Sequence, residues 1–307
     1  MGRMQQTVLH SLQVADARLL GEGIEAWIYE LSPDRVVRIY KRAAPGLRTQ
    51  LAGLQAFYDS LAVTNVGFAV PKLLSIGEVD DVLYTIDRQL KGEQLGRVLA
   101  GLTPGQAQPL LQAYLALADD ISKLHRPFSY FGEILQENPL RCASWPEFIT
   151  QKTTASYLAA KAQLDHDAPG LPAVISYIKN KVGEVAADAP PLLVHGDFNA
   201  MNVLADHGTL QALVDFGSLT LAGDPRMDLA SGVIGFLEAE DGMRKEDGDF
   251  IMRQLTQKHG TEVRDIIHLY RMYYAVVFAA SCKESDPRTY AWALRTFKEH
   301  LADSYQY

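Results

Sequence analysis

Between His195 and Gly217 the chain reads HGDFNAMNVL and then, past the turn Asp206-His207-Gly208, LQALVDFG. The apolar pair Val203-Leu204 and the apolar run 210–214, separated by a glycine-containing turn, predict a β-hairpin. That hairpin constrains everything around it. It holds Asn202 and Asp215 at neighbouring strand ends, with Asp197 five residues before Asn202, so the rest of the chain has to pack around three converging polar side chains. A lone aspartate is usually a solvated turn residue, but that reading leaves the order, the spacing and the Asp-Phe-Gly triplet unexplained together.

Residues of this kind in this order point to phosphoryl transfer. That reaction is mostly positioning and charge neutralisation, and it needs a carboxylate to orient and deprotonate an acceptor hydroxyl. It also needs hard oxygen ligands that hold Mg²⁺ against nucleotide phosphates. Asp197 fits the first role, and Asn202 with Asp215 fit the second. The bulk of the chain permits such a site: 307 residues, 48% hydrophobic, can bury a core as one large bilobal unit or two smaller ones. A net charge of −8 argues against a nucleic-acid partner or an anionic membrane surface and is compatible with a cationic ligand. Cys142 and Cys282 are far apart and lack metal-ligand spacing, so neither a disulfide framework nor a zinc site is expected. No leader peptide or spanning segment is expected, and a reducing cytoplasm is the simplest setting.

The N-terminal third reads as a sheet. After a polar leader, residues 17–20 run into Gly21-Glu22-Gly23 and the apolar-rich segment 26–31, a strand, turn and strand. Gly21 and Gly23 would let backbone N–H groups approach phosphate oxygens, although two glycines are equally at home in a plain hairpin turn. The third strand, Arg35-Val-Val-Arg-Ile-Tyr-Lys41, alternates Val37, Ile39 and Lys41 on one face with Val36, Arg38 and Tyr40 on the other. A helix is expected over 44–62, then strands over 70–76 and 82–86 that complete a five-stranded antiparallel sheet, with a connector over 87–92. Helices are expected over 104–125, 145–164, 171–187, 263–282 and 289–301. Asp224 and Asp228, in GDPRMDLA, read as structural anchors of a turn and helix start rather than catalysts. The stretch 237–250, LEAEDGMRKEDGDF, carries half of the net charge and reads as a solvated loop, with a rim for a polycationic acceptor as the alternative.

HGDFNAMN, LVDFG and GDPRMDLA, supported by VVRIYK and VPKLLSIGE, resemble the aminoglycoside phosphotransferase family, a branch of the protein-kinase-like fold, over about residues 19–237. Within that family the N-lobe is most similar to hygromycin phosphotransferases. The resemblance implies a bilobal α+β chain: a nucleotide-binding N-lobe over residues 1–90, and a helical C-lobe with the catalytic loop and acceptor site over 91–307. It implies Asp197 as catalytic base, Asn202 and Asp215 as Mg²⁺ ligands, and ATP or GTP as phosphate donor held by the glycine loop. Arg38, in register with the lysine of the family's third strand, corresponds to the phosphate-contacting cation, and Lys41 is expected to be a solvated surface charge. The chain departs from the pattern in one respect. No glutamate stands between Lys41 and Asp59, so a partner for Arg38 from the following helix is neutral, Gln50 or Gln55, or the orienting role is absent.

The expectation is therefore a Mg²⁺-dependent enzyme that moves a nucleotide γ-phosphate to a hydroxyl of an aminoglycoside or similar small, possibly cationic, acceptor. A metabolic kinase of the choline, homoserine, methylthioribose or fructosamine type is the alternative within enzymes. A nucleotide-binding pseudokinase is the alternative outside them, disfavoured because a pure binding module needs no acceptor base.

Overall fold

The computed structural model describes residues 2–304, apart from 24, 43–44, 64–65 and 239–242. Five strands, β1 (Leu19–Glu22), β2 (Ala26–Ser32), β3 (Arg35–Tyr40), β4 (Leu73–Val79) and β5 (Val82–Arg88), form an antiparallel sheet in the order β1-β2-β3-β5-β4. The alternation of β3 decides what lies on either side. Val37 and Ile39 are fully buried against the N-terminal helix α1 (Arg3–Ser11), through Val8 and Leu9. Tyr40 faces α2 (Leu47–Ser60), where Leu51, Leu73 and Leu83 close a second cluster. The polar leader expected at the N-terminus is thus a helix: RMQQTVLHS buries Val8, Leu9 and also Gln5. The expected start of α2 at Ala44 lies outside the described residues.

The remaining chain is mainly helical. It runs through β6 (Glu93–Gln94), α3 (Leu95–Ala100), α4 (Pro104–Ile121), β7 (Phe131–Glu133), β8 (Arg141–Cys142), α5 (Trp145–Ala159), α6 (Lys161–Asp167) and α7 (Leu171–Val185). Then come β9 (Leu192–Val194), β10 (Val203–Asp206), β11 (Thr209–Leu213), β12 (Leu221–Gly223), α8 (Arg226–Leu237), α9 (Lys245–His259), α10 (Val263–Ala279) and α11 (Pro287–Ser304). The helix expected over 145–164 is two, broken at Ala160, whose φ of −118° and ψ of 22° leave the helical range. Much of the stretch expected as a charged loop is α9, where Asp247 pairs with Arg244 at 2.8 Å, and Glu238 at the end of α8 pairs with Arg271 and Arg295. Glu240 and Asp241 lie outside the described residues. Among the described residues no helix is long and apolar enough to cross a membrane.

One large core fills the helical body and continues under the sheet through Phe57, Leu61, Phe68 and Val70. The joint between the two parts is built on the β10–β11 hairpin. On one edge β6 pairs with β10, Leu204 opposite Gln94. On the other edge Ala69, leading into β4, accepts from Leu213 N at 3.0 Å and donates to Gln211 O at 2.8 Å. Gly92, at φ 114°, sits where the connector crosses β10 so closely that a Cβ would stand 3.0 Å from Ala205 O.

Candidate active site

The loop from His195 to Asn202 joins β9 to the hairpin, and its shape is fixed from beneath. Asp228, in the first turn of α8 and fully buried, accepts from His195 N at 2.8 Å and Gly196 N at 2.9 Å. Burial pushes its carboxyl up to about 7 against the pull of those two N–H donors. It is a structural anchor, as expected, but of this loop and not of the helix start. Gly196 has a φ of 80°, and a Cβ there would lie 1.8 Å from Leu219 O, so no side chain fits. The His195 ring is also wholly buried. Its Nε2 faces Val214 O at 2.8 Å, an oxygen that can only accept, and its Nδ1 accepts from Asp197 N at 3.2 Å. These partners fix a neutral Nε2–H tautomer, and burial lowers the imidazole to about 4. One ring therefore ties the backbone of Asp197 to the residue preceding Asp215.

The Asp197 carboxylate is gripped on both oxygens. Asn199 Nδ2 donates to Oδ1 at 3.0 Å and Asn202 Nδ2 to Oδ2 at 2.9 Å. Asn199 Oδ1 in turn accepts from Met201 N at 2.8 Å and Asn202 N at 3.2 Å, an Asx-type bracket that holds the loop in shape. Sequence reasoning passes over Asn199. Its signal is weak, an Asx residue two places after the aspartate that it supports. Burial raises Asp197 to about 6, the two amides pull the other way, and the charge of Asp215 adds to the rise.

Asn202 and Asp215 come together as the hairpin requires. Val203 pairs with Leu213, and Val214 N donates to Asn202 O at 2.9 Å, carrying the pairing one step beyond the strands. Since Asn202 spends its amide nitrogen on Asp197, its Oδ1 is left as a ligand atom. Asp215 adopts the left-handed region, φ 65°, with an exposed carboxylate that accepts no hydrogen bond from the described residues. Phe216 anchors the triplet, its ring 4.5 Å from His195, 5.5 Å from Phe57 and 6.2 Å from Tyr58.

On the sheet, Arg38 and Lys41 part company. Arg38 faces α2, within electrostatic reach of Asp215 and Tyr58, and its Nε lies 3.3 Å from Asp87 Oδ2 on β5. An acid therefore does attend Arg38, from a strand and not from the helix; Gln55 of α2 donates instead to Leu73 O at 3.1 Å. Lys41 is not the solvated charge expected. It bonds Glu22 at 2.7 Å and lies over the Trp27 ring, 5.1 Å from its centre, on the other side of the strand. The turn lies later than expected: Gly21 and Glu22 still belong to β1, paired with Ile28 and Trp27, and the chain leaves the strand only at Gly23, whose N donates to Ala26 O at 2.9 Å. Neither glycine has a positive φ. A Cβ on Gly21 would meet nothing within 4 Å, and one on Gly23 only Ala26 O at 3.8 Å, so the chain's own packing does not demand glycine at either.

A cavity of about 220 Å³ opens beside Asp197 between Asn199 and Met201 of the loop and Ile234, Met243, Phe278 and Trp292 of the helical body. A larger hollow of about 710 Å³, between α1 and Val79-Asp80, contains none of the residues that carry chemistry.

Comparison with known proteins bears on the family and the fold. Residues 16–265 match the phosphotransferase enzyme family. The hygromycin-B 4-O-kinase of Escherichia coli is 28% identical over 166 residues, 53% of this chain and 46% of that one, so the match spans about half of that relative's length. The streptomycin–ATP ternary complex of APH(2")-IIa superposes with a TM-score of 0.63, covering 97% of this chain and 96% of that one at 16% identity. Aminoglycoside phosphotransferase APH(2'')-Ib with ADP bound gives 0.66, covering 96% and 97% at 18% identity. The shared bilobal, protein-kinase-like fold is what those two structures establish.

Proposed function

The chain belongs to the phosphotransferase enzyme family, and from that premise we propose that it transfers the γ-phosphoryl group of ATP or GTP to a hydroxyl of an aminoglycoside or a similar small acceptor. One observation carries the reading: a half-buried carboxylate, Asp197, stands beside a hairpin that brings two further oxygen ligands, Asn202 and Asp215, close to the sheet that carries Arg38. The hygromycin kinase and the streptomycin complex support the acceptor class, and the bound ATP and ADP support the donor.

In this reading residues 1–90 hold the nucleotide, with Gly21 and Gly23 over its phosphates and Arg38 against their charge. Residues 91–307 hold the acceptor, in the cavity beside Asp197. The donor set suits Mg²⁺. Asn202 Oδ1 and the Asp215 carboxylate are hard oxygens at the ends of neighbouring strands, and no group of three or more His, Cys, Asp or Glu among the described residues offers an all-protein cage. Mg²⁺ commonly keeps waters and substrate phosphates on a few protein ligands and neutralises phosphate charge when bound. Asp197 takes the proton of the acceptor hydroxyl, while Asn199 and Asn202 keep its two oxygens oriented. His195, neutral and doubly engaged, moves no proton; it positions Asp197.

Turnover of ATP and GTP with a panel of hygromycin-type, streptomycin-type and other hydroxyl acceptors, followed by phosphate mapping on the product, tests the proposal. Phosphorylated acceptor is expected. Nucleotide binding with no phosphotransfer to any acceptor in the panel would turn the reading toward a binding module.

A further inference from the structure

The cation on β3 lacks the helical glutamate that the sequence resemblance calls for; the acid in α2, Asp59, is exposed near its end. Asp87 of β5 fills the gap from a different direction. Val36 pairs with Asp87 and Arg38 with Thr85, so Asp87 and Arg38 are diagonal neighbours on one face of the sheet. We propose that Asp87 is a positioning residue that holds Arg38 for the nucleotide phosphates, replacing the helix-borne acid by a strand-borne one. This rests on the reading of Arg38 as the phosphate cation.

Two features set the pair apart from an ordinary structural ion pair. First, the contact is made through Nε, and neither terminal amino group of Arg38 hydrogen-bonds to the described residues. A guanidinium held by its inner nitrogen keeps its outer fork free for two oxygens of an anion, the bidentate geometry suited to phosphate. Second, the carboxylate is half-spent. Asp87 Oδ1 is buried without a hydrogen bond of ordinary geometry, with only a loose approach from the Thr85 hydroxyl, and burial raises the carboxyl against the pull of Arg38. A buried pair kept for stability satisfies both carboxylate oxygens, because an orphaned one costs more than the attraction returns. Here the Arg38 side chain remains 40% exposed, which leaves little net stability in the contact.

The experiment is a double-mutant cycle on Asp87→Asn and Arg38→Ala, read by calorimetric affinity for the nucleoside triphosphate and for the bare nucleoside. Asp87→Asn is expected to weaken triphosphate binding roughly tenfold and leave nucleoside binding within about twofold. In the Arg38→Ala background it is expected to add almost nothing, because its effect travels through Arg38. Equal loss for nucleoside and triphosphate, or full additivity with Arg38→Ala, would overturn the proposal and make Asp87 structural. If Arg38→Ala weakens the triphosphate and Asp87→Asn does not, the positioning role alone fails. If Arg38→Ala itself leaves triphosphate affinity unchanged, the underlying reading fails and this inference with it. Asp87→Ser carries the same expectations should the Asn variant not fold.

Discussion

In the proposed reading Asp197 concentrates the chemistry in one side chain, and its surroundings set a pH dependence. With the carboxyl raised to about 6, it is a competent base only above that value, so kcat/KM should fall about tenfold per pH unit below it. The group's effect on stability runs the other way. Its folded value lies above the unfolded value of about 3.9, so its contribution is full below the latter and is lost as pH rises through about 6. Asp197→Asn should cut kcat by about 10²- to 10⁴-fold with nucleotide affinity nearly unchanged; a variant that keeps a tenth of wild-type kcat would remove Asp197 from the role. Gly196→Ala tests the backbone beneath it. With a φ of 80° and Leu219 O in the way, the methyl group should cost roughly 2–4 kcal/mol in chemical denaturation. At this scale the sequence shows the residues whose type is chemically rare in context, Asp197, Asn202 and Asp215. It does not show Asn199 or Asp87, which matter through a contact and not through a motif: Asp87 is 49 residues from Arg38 in the chain.

The hairpin is the element on which the site depends, and its turn can be tuned without touching the chemistry. Asp206 pairs with Thr209, so His207 and Gly208 form a two-residue loop, and their φ values of 47° and 77° match a type I′ turn. Asparagine tolerates the first of those positions better than histidine, so His207→Asn should raise stability by about 0.5 kcal/mol in thermal unfolding and leave kcat unchanged. This hairpin and the alternation of β3 can be read from the letters, because a two-residue period with turn residues at its ends has few solutions. Other elements resist. The α1 segment is mostly polar and becomes a helix because Val8 and Leu9 find a sheet face that only tertiary structure supplies. The break at Ala160 has no glycine or proline at it to announce it. Glu238 looks like part of a solvated acidic run until α10 and α11 bring Arg271 and Arg295 to it.

At the scale of the whole molecule, ligands that bind the folded state should raise its melting point by mass action, by about 2.7 kcal/mol at a hundredfold excess over Kd. A nucleotide with Mg²⁺ is expected to give a larger shift than the nucleotide alone in wild type. Asp215→Ala should abolish that difference, because the remaining neutral Asn202 amide supplies no charge to hold the ion. Equal Mg²⁺-dependent shifts in both proteins would take the ligand role away from Asp215. The joint between the sheet and the helical body bears on such a complex in mechanical terms. Both edges of the β10–β11 hairpin are taken, by β6 along β10 and by Ala69, on the way into β4, along β11. A hairpin gripped at both edges is suited to serve as an axle, about which the sheet would rock. Such rocking would swing Arg38 through an arc while the gap between Asn202 and Asp215, set by the axle itself, stays constant.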